Sequence, residues 1–488
     1  MRETSPQPHG PPHRALVTGT QPAPEPLPGV GRLVWRIAWP AILENLLQTA
    51  LGVVDLLMVS RLGAPAVAGV GTAVQLTFLL ISMMSAITVG AMVLIAHATG
   101  ARQPERATAV ARQAMLLGAL LSAAATVIGI PLSEPAVRAL GVTGEVAKIG
   151  GDYLRIIMAL SLVLVWQLTA GAMLRGAGDS RTPLVAALAG NVLNAVLAYG
   201  LIFGHFGLPQ LGASGSAWAA TAGRLLGLLI LAHVLLSRRG AVTLRSDAGW
   251  RIEPGLAAQV LRLGLPAMLE QLLISLAFTM FTAIVATLGT QALAAQRIAF
   301  NALSLSFLPG FGFAIATTTV VGMSLGAGRA DRARQAVGFA LRAAMLWMGS
   351  IGVCYFFLGE QVMRLFTNDP LVVALGAASL KNIALAQPAW AIGMVLSGAL
   401  RGAGDTRFPM LANAGSFWLG LVPLAFLFIR VLGLDLPWGF AAAIAQAVLS
   451  VTLAVWRYRR STARWPGLAA PTETGAHPPA TAEPAGVL

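Results

Sequence analysis

The amino-acid sequence predicts an all-α polytopic membrane protein whose twelve transmembrane helices form two pseudo-symmetric six-helix lobes. Its 488 residues are 56% hydrophobic and only 11% charged, and the mean hydropathy is +0.74. Soluble domains carry about 25% charged residues, so this composition excludes an ordinary soluble globular protein. The apolar runs are continuous rather than alternating with a period of two, which disfavours a membrane β-barrel. The two halves of the chain also repeat each other.

The chain contains twelve successive apolar stretches, each near the length of about 20 residues that a helix needs to cross a bilayer. In the first half they cover about residues 33–59, 66–98, 110–131, 152–174, 184–204 and 213–236. In the second half they cover about residues 259–286, 292–324, 336–358, 377–400, 409–431 and 436–456.

Polar segments flank and divide this apolar region. Residues 1–30 and 461–488 are rich in proline and contain no apolar run, so we expect both to be disordered cytoplasmic tails. Residues 31–237 then form an N-lobe and residues 259–460 form a C-lobe. The basic segment 238–258 contains proline and glycine, and we interpret it as the cytoplasmic linker between the lobes.

The internal repeat has one constant offset. The segment PAILENLL begins at Pro40, and its counterpart PAMLEQLL begins at Pro266. The identical hexapeptide LRGAGD, at 174–179 and 400–405, keeps the same spacing between its two copies. Because each repeat contains an even number of spans, both halves enter the membrane from the same side, and their axis lies along the membrane normal. This parallel arrangement is typical of many secondary transporters.

The distribution of basic residues predicts the orientation of the spans. The formal net charge is +14, but the basic residues occupy short segments between apolar runs. They lack the aromatic interleaving of nucleic-acid modules, so we expect no nucleic-acid partner. With a cytoplasmic N-terminus, 24 Lys and Arg residues face the cytoplasm, eight face outside and Arg224 lies within a span. This asymmetry predicts that both termini are cytoplasmic.

Ionisable side chains at membrane depth are costly and are candidate functional residues; here they are Glu44, Asp55, Arg224 and Glu270. Glu44 and Asp55 are eleven residues apart, so both project from one face of the first span, about 16 Å apart along its axis. Glu270 is the repeat equivalent of Glu44, whereas the equivalent of Asp55 is Phe281. The first lobe is therefore better equipped to bind a cation or a proton. For Glu44 and Glu270 the alternative is structural: capping backbone groups or pairing with basic loops.

Polar residues of the fifth and sixth spans complete this candidate site. Asn191 and Asn194 lie one turn apart, and they either join an ion site or make interhelical hydrogen bonds. Arg224 needs a counter-charge, for which Asp55 is the candidate. A purely structural salt bridge is the alternative for that pair.

The LRGAGD hexapeptides mark the loops between the fourth and fifth spans of each half. A glycine-rich turn with charged residues invites comparison with a phosphate-binding loop, but the lysine and the serine or threonine of a P-loop are missing. The pattern therefore favours a tight, charged connection between helices. The lone Cys354 lies in an apolar run, so neither a disulfide framework nor a zinc site is expected.

Further side chains are candidates for a substrate pocket, because methionine and aromatic surfaces repack around varied ligands. They are Gln48, Met84, Trp166, Gln271, Met280, Phe281, Phe311 and Trp390. For each apolar member, plain packing inside the protein is the alternative.

The sequence resembles the multidrug and toxic compound extrusion (MATE) family of bacterial efflux transporters. The segments that carry the similarity are PAILENLLQTALGVVDLLMVSRLG, the repeated LRGAGD and GNVLNAVLAYGLIFGHFGLPQLG. The similarity covers roughly Leu33 to Arg460. It implies two six-helix lobes that form a V in the bacterial inner membrane, and export of cationic or amphipathic drugs or toxins in exchange for Na⁺ or H⁺. It also implies contact with membrane lipids, no cofactor, no enzymatic activity and no obligate protein partner.

The resemblance also assigns roles to single residues. Asp55 matches the aspartate of the family's first span that is implicated in binding a cation or proton, and Asn194 matches an asparagine that joins that site in some members. The aspartate that often follows four residues later is Ala198 here. In the C-lobe, acidic positions that bind Na⁺ in some members fall at Ile274 and Trp390. We therefore expect coupling to protons, with Na⁺ at Asp55 as the alternative and no firm metal site.

Other functions fit the sequence less well. A lipid-precursor or polysaccharide flippase of related architecture is the nearest alternative, but those proteins often use a basic cavity, and the candidates here are mostly acidic. An intramembrane enzyme would need a clustered catalytic set, whereas His97, His205 and His233 are scattered near span ends. A channel is disfavoured because tandem lobes with sparse buried charge suit alternating access better.

Overall fold

The computed structural model describes residues 29–237, 242–245, 249–463 and 465, and every regular element within these ranges is a helix. The tails predicted to be disordered lie almost wholly outside the described residues, as does part of the predicted linker. The first helix begins at Val30 and the last ends at Thr462, close to the predicted limits of the two lobes.

The N-lobe contains seven helices. They are α1 (Val30–Ser60), α2 (Ala64–Gly100), α3 (Pro104–Ala139), α4 (Gly144–Ala159), α5 (Ser161–Gly176), α6 (Arg181–Phe203) and α7 (Ala213–Leu236). Helices α4 and α5 follow each other with a bend of 58° and together make one span. The predicted fourth span is therefore present, but it is broken.

The C-lobe also contains seven helices. They are α8 (Pro254–Ala286), α9 (Thr290–Gly326), α10 (Ala330–Arg364), α11 (Pro370–Gly402), α12 (Arg407–Ser416), α13 (Val422–Phe426) and α14 (Leu436–Thr462). The π-helical segment Phe417–Leu421 joins α12 to α13, and a second one, Leu427–Val431, follows α13 and completes this single span. Among the described residues, eleven helices are long and apolar enough to cross a membrane, and the bent pair supplies the twelfth span.

The break between α4 and α5 has a local polar explanation. A bend inside a membrane frees backbone carbonyl groups, which must find other donors. The hydroxyl of Thr126, on α3, donates to the carbonyl oxygen of Met158 at 2.8 Å, just before the break. Ser161, the first residue after it, donates to the carbonyl oxygen of Ser122 at 3.1 Å. The Thr126 hydroxyl thus supplies a donor to a carbonyl oxygen at the end of α4, and the Ser161 bond ties the start of α5 to α3.

The lobes meet through the first two helices of each half, where α2 lies against α8 and α9, and α1 lies against α9. The packing is close enough to require glycine. A Cβ atom on Gly264 would overlap the carbonyl oxygen of Ala86, and one on Gly90 would overlap the carbonyl oxygen of Val260. These contacts bring the two lobes together on one side of the bundle.

We call this side the basic end, since it also holds the two LRGAGD turns and the arginine-rich last turn of α14. Burial falls steeply away from it. All residues of α1 are described, and none between Ala41 and Val59 is buried. In α2, the half that reaches Gly100 is far more buried than the half that begins at Ala64. The two lobes therefore diverge from the basic end and leave a cleft that opens at the opposite end.

Candidate functional site

Asp55 lies on the part of α1 that faces the N-lobe interior beyond the inter-lobe contacts. The amide nitrogen Nδ2 of Asn194, on α6, donates to its Oδ2 atom at 3.3 Å. Asn194 is 2% exposed, whereas Asp55 is half-buried. The structure thus brings together the two residues that the resemblance assigns to one site.

Several polar atoms of this cluster have no hydrogen-bond partner among the described residues. They are Oδ1 of Asp55, Oδ1 of Asn194 and Nδ2 of Asn191, and all three are buried. An unsatisfied buried polar atom costs about 1–3 kcal/mol. Two unpartnered acceptor oxygens, one of them on the carboxylate itself, favour the binding of a proton or a small cation, which would satisfy them.

Arg224, on α7, lies within electrostatic reach of Asp55. Among the described residues no ion pair of 4.0 Å or less joins the two side chains, so Arg224 acts on Asp55 through its field rather than by direct contact. The hydroxyl group of Tyr153, on α4, lies within reach of both charges and is itself buried. Sequence reasoning missed Tyr153, because a tyrosine in an apolar span carries no formal charge that would single it out.

Glu44 lies apart from this cluster. Its two carboxylate oxygens accept hydrogen bonds from Nη1 of Arg175 at 3.1 and 3.0 Å, and both side chains are about 15% exposed. Arg175 belongs to the first LRGAGD motif. The pairing corresponds to the structural alternative considered for Glu44, namely a bond to a basic loop.

Glu270 repeats the same arrangement in the C-lobe. Nη2 of Arg401, from the second LRGAGD motif, donates to its carboxylate oxygens at 2.6 and 2.7 Å. The C-lobe adds a second donor, since Nδ2 of Asn413 donates to Oε1 of Glu270 at 2.7 Å. Glu270 and Arg401 are the repeat equivalents of Glu44 and Arg175, so the internal repeat extends to this ion pair.

The LRGAGD segments are tight turns, as the sequence predicts. Gly178 and Gly404 adopt φ values of 86° and 85°, which a residue with a side chain rarely does. The Asp179 carboxylate then accepts hydrogen bonds from the backbone nitrogens of Arg181 and Thr182 at 3.0 and 3.1 Å and so caps α6. Its equivalent Asp405 accepts from Nε of Arg457 at 2.7 Å.

The candidate substrate residues divide by exposure. Gln48, Gln271 and Met280 are exposed, as is Phe311. Met84 and Phe281 are each 1% exposed and pack inside the protein. Trp390 is half-buried and donates from Nε1 to Oε1 of Gln446 at 2.9 Å, and the indole of Trp166 donates to the carbonyl oxygen of Met115 at 3.1 Å.

Phe281 belongs to an aromatic core that distinguishes the C-lobe. Its ring lies 5.5 Å from that of Phe440 and 6.1 Å from that of Phe300, while Phe278 contacts Phe300 at 5.5 Å and Phe417 at 5.1 Å between ring centroids. The position equivalent to Asp55 is thus filled by packed rings.

Among the described residues there is also no group of three or more His, Cys, Asp and Glu side chains that could hold a metal ion.

Comparison with known proteins places this arrangement in a family. A family model described as MatE matches residues 40–200 and 266–427, two segments that begin at the repeated prolines. The chain is 32% identical over 432 residues to a probable multidrug resistance protein NorM of Thermotoga maritima, covering 88% of this chain and 92% of that protein. It is 31% identical over 440 residues to a probable multidrug resistance protein NorM of Burkholderia pseudomallei, with 88% and 92% covered.

Solved structures show the same fold. A MOP superfamily transporter from Pyrococcus furiosus superposes with a TM-score of 0.83 at 23% sequence identity, covering 90% of this chain and 97% of that one. A multidrug resistance MATE family transporter in an outward-facing conformation superposes with a TM-score of 0.81 at 22% identity, covering 91% and 98%.

Proposed function

The chain belongs to the MATE family of multidrug efflux transporters, and from that premise we propose that it is an antiporter that exports cationic or amphipathic compounds in exchange for protons. Members of this family are transporters rather than enzymes, and the chain is a multi-pass membrane protein. The finer features that we propose are the coupling ion, the exchange mode and the substrate class, together with a bacterial inner-membrane location in which both termini are cytoplasmic.

The observation that carries the choice of proton is the composition of the Asp55 cluster. Hard metal cations are bound by several oxygen ligands at once. The buried unpartnered oxygens of the cluster are Oδ1 of Asp55 and Oδ1 of Asn194, while the position one turn later is the methyl group of Ala198. A proton needs only one carboxylate oxygen, and its O–H group becomes a donor for a neighbouring acceptor.

Arg224 strengthens this preference. Its fixed positive charge lies within reach of Asp55 and opposes the binding of any second cation. A sodium ion binds a single carboxylate only weakly, and repulsion by Arg224 would remove most of that affinity. A proton forms a covalent O–H bond and tolerates the same repulsion. The N-lobe site therefore suits a proton better than Na⁺.

The proposed cycle uses the charge of Asp55 as a switch. When ionised, Asp55 adds a negative charge to the cleft and favours cationic cargo. When protonated, it loses that attraction and the cargo dissociates. The cleft opens away from the basic end, so with cytoplasmic termini this conformation faces outward, and Asp55 takes up its proton from outside. Rocking of the lobes would then expose Asp55 to the cytoplasm, where the proton is released.

The experiment is dye transport in proteoliposomes under an imposed pH gradient or an imposed Na⁺ gradient. We expect a fluorescent cationic dye to move against its gradient only when the pH gradient is imposed. Movement under the Na⁺ gradient alone would contradict proton coupling. Absence of movement under both, with a folded protein, would favour the flippase alternative, which transport of a fluorescent anionic lipid would then test directly.

A further inference from the structure

Each LRGAGD turn accepts a hydrogen bond from the opposite lobe. The hydroxyl of Thr319, on α9 of the C-lobe, donates to the carbonyl oxygen of Arg175 in the N-lobe at 3.2 Å. The ring nitrogen Nε2 of His97, on α2 of the N-lobe, lies 2.7 Å from the carbonyl oxygen of Gly402 in the C-lobe. A carbonyl oxygen only accepts, so Nε2 is the donor. The two turns are thus joined crosswise to the helices of the other lobe.

The helices that reach the turns cross each other at glycines. A Cβ atom on Gly100 would overlap the carbonyl oxygen of Met323, and one on Gly326 would overlap the carbonyl oxygen of His97. These two glycines are repeat equivalents, so the crossing obeys the internal symmetry of the chain. The contacts lie at the basic end, where the lobes are closed.

The side chains of the same turns bond within their own lobe. Arg175 holds Glu44 of α1, and Arg401 holds Glu270 of α8. These pairs are largely buried, and buried ion pairs depend strictly on geometry and on hydrogen bonds that satisfy the carboxylate. Each turn is therefore tied by its backbone to the other lobe and by its arginine to the first helix of its own lobe.

The two ties differ in strength. Glu270 accepts hydrogen bonds from Asn413 as well as Arg401, whereas Glu44 accepts only from Arg175 among the described residues. Glu44 also shares one face of α1 with Asp55, about 16 Å away along the helix axis. A shift or bend of α1 when Asp55 is protonated would move Glu44, and with it the turn that accepts from Thr319.

We propose that the two LRGAGD turns form the gate that closes the basic end, and that Glu44 and Glu270 are positioning residues that hold the turns where the opposite lobe can bond to them. The N-lobe pair responds to Asp55 because both acidic residues lie on α1. The C-lobe pair is the fixed counterpart. This inference rests on the proposed alternating access, since a gate has a function only if the basic end also opens.

The test measures gate opening without measuring transport. In a Cys354→Ala background, Met323→Cys places a thiol near Gly178, at the crossing where the backbone of residue 323 meets Gly100. The protein is reconstituted in lipid nanodiscs, which expose both faces, and the rate of maleimide labelling reports how often the gate opens. Glu44→Gln and Thr319→Val each remove one tie, and Glu360→Gln, which breaks an exposed ion pair with Arg364, is the matched control.

We expect Glu44→Gln to raise the labelling rate about tenfold, the effect of one lost charge-assisted hydrogen bond, and Glu360→Gln to leave it unchanged. Thr319→Val should raise the labelling rate less than Glu44→Gln does. The variant that carries both substitutions should show an increase smaller than the product of the two single increases, because both substitutions act through the position of Arg175. Equal labelling rates in Glu44→Gln, Glu270→Gln and the control, with unchanged thermal unfolding, would overturn the proposal.

A second reporter serves if Met323→Cys does not fold. Gln103 and Ala327 are exposed residues at the ends of α2 and α9, and spin labels on both report the separation of the lobes at the basic end. Glu44→Gln should populate a longer distance, and an unchanged distance would count against the gate. Failure of wild-type dye transport under a pH gradient would contradict proton coupling but would leave these gate measurements standing, so the two proposals fail separately.

Discussion

Asp55 carries its charge at a depth where a carboxylate is expensive, and the structure leaves its Oδ1 atom without a donor. Protein interiors tolerate such an atom where it serves a purpose. In this cluster the missing donor is supplied when the carboxyl group binds a proton. The N-lobe thus contains a site that is better satisfied in the protonated form, next to an arginine that compensates the charge of the ionised form.

The first prediction removes the titrating group. Asp55→Asn keeps the shape and the acceptor oxygen but cannot exchange a proton, so dye efflux driven by a pH gradient should fall to the background of empty liposomes. Thermal unfolding should occur at a somewhat lower temperature, because the buried Arg224 loses the charge that compensates it. The proteoliposome assay with Glu360→Gln as control checks it. Full efflux by Asp55→Asn would exclude Asp55 as the proton carrier.

A second prediction adds the ligand that the site lacks. Ala198 lies one turn after Asn194 on α6 and is fully buried. Ala198→Asp places a second carboxylate beside the cluster and should create a site that binds Na⁺. We expect its thermal unfolding temperature to rise with Na⁺ concentration but not with K⁺, whereas wild type and Ala198→Asn should not respond. A Na⁺-dependent rise in wild type would contradict the assignment of the proton as coupling ion.

Single residues also show how far sequence reasoning reaches. Asp55 stands out because it is a charge in an apolar span, and Asn194 is found through the family resemblance. Tyr153 could not be found, since it has no formal charge and lies on a different helix. The partner of Glu44 is equally hidden. Arg175 is far away in the sequence, and only the packing of α1 against the LRGAGD turn brings the two side chains together.

Helices α2 and α9 cross at the basic end through Gly100 and Gly326, and this close approach requires the absence of a side chain. The third prediction follows. Gly100→Ala should hold the lobes apart at the basic end and reduce efflux strongly, because its methyl group would overlap the carbonyl oxygen of Met323. The distance between spin labels at Gln103 and Ala327 should lengthen.

The control for that variant is Gly349→Ala on α10, where a Cβ atom would meet nothing within 4 Å. Replacing a helical glycine by alanine, where the methyl group has room, stabilises a helix by about 1 kcal/mol. This variant should therefore unfold at the same or a higher temperature and transport normally. A Gly100→Ala protein with wild-type distances and efflux would show that the crossing is not a close contact in the membrane.

At the level of helices, the apolar runs predict number and order well but predict interruptions poorly. The sequence predicts the fourth span as one helix over 152–174, whereas α4 begins at Gly144 and breaks at Leu160. No proline or glycine stands at the break. Hydroxyl groups between α3 and the broken span stabilise it, and contacts between distant helices leave no trace in local hydropathy. The π-helical segments between α12 and α14 differ, because Gly420 and Pro423 lie in that stretch of the sequence.

The whole molecule has one closed, positively charged end and one open end. Hydropathy and charge predict the two lobes and their parallel repeat, because the constant spacing between repeated motifs constrains the symmetry axis. The acidic residue at position 55 and the phenylalanine at its repeat position 281 also predict that the lobe interiors differ, whereas the packing of phenylalanine rings in the C-lobe is seen only in the structure.

The fourth prediction concerns orientation. In the Cys354→Ala background, a cysteine at Gln103 on the basic end should react with a membrane-impermeant maleimide only in inside-out vesicles. A cysteine at Phe206, which is 73% exposed in the loop after α6, should react only in intact cells. The excess of Lys and Arg at the basic end is the reason. The reverse pattern of labelling would place the termini outside and make the observed conformation inward-facing.

The replacement of the Asp55 equivalent by Phe281 has a thermodynamic consequence. If Asp55 is the single proton carrier, as we propose, each cycle would exchange one proton for one cargo molecule. For a singly charged cation that exchange is electroneutral, so the membrane voltage would do no work on it. The concentration ratio that the pump can sustain would then rise by about tenfold for each unit of pH difference across the membrane, whereas a doubly charged compound would be driven against the voltage and would accumulate inside more readily.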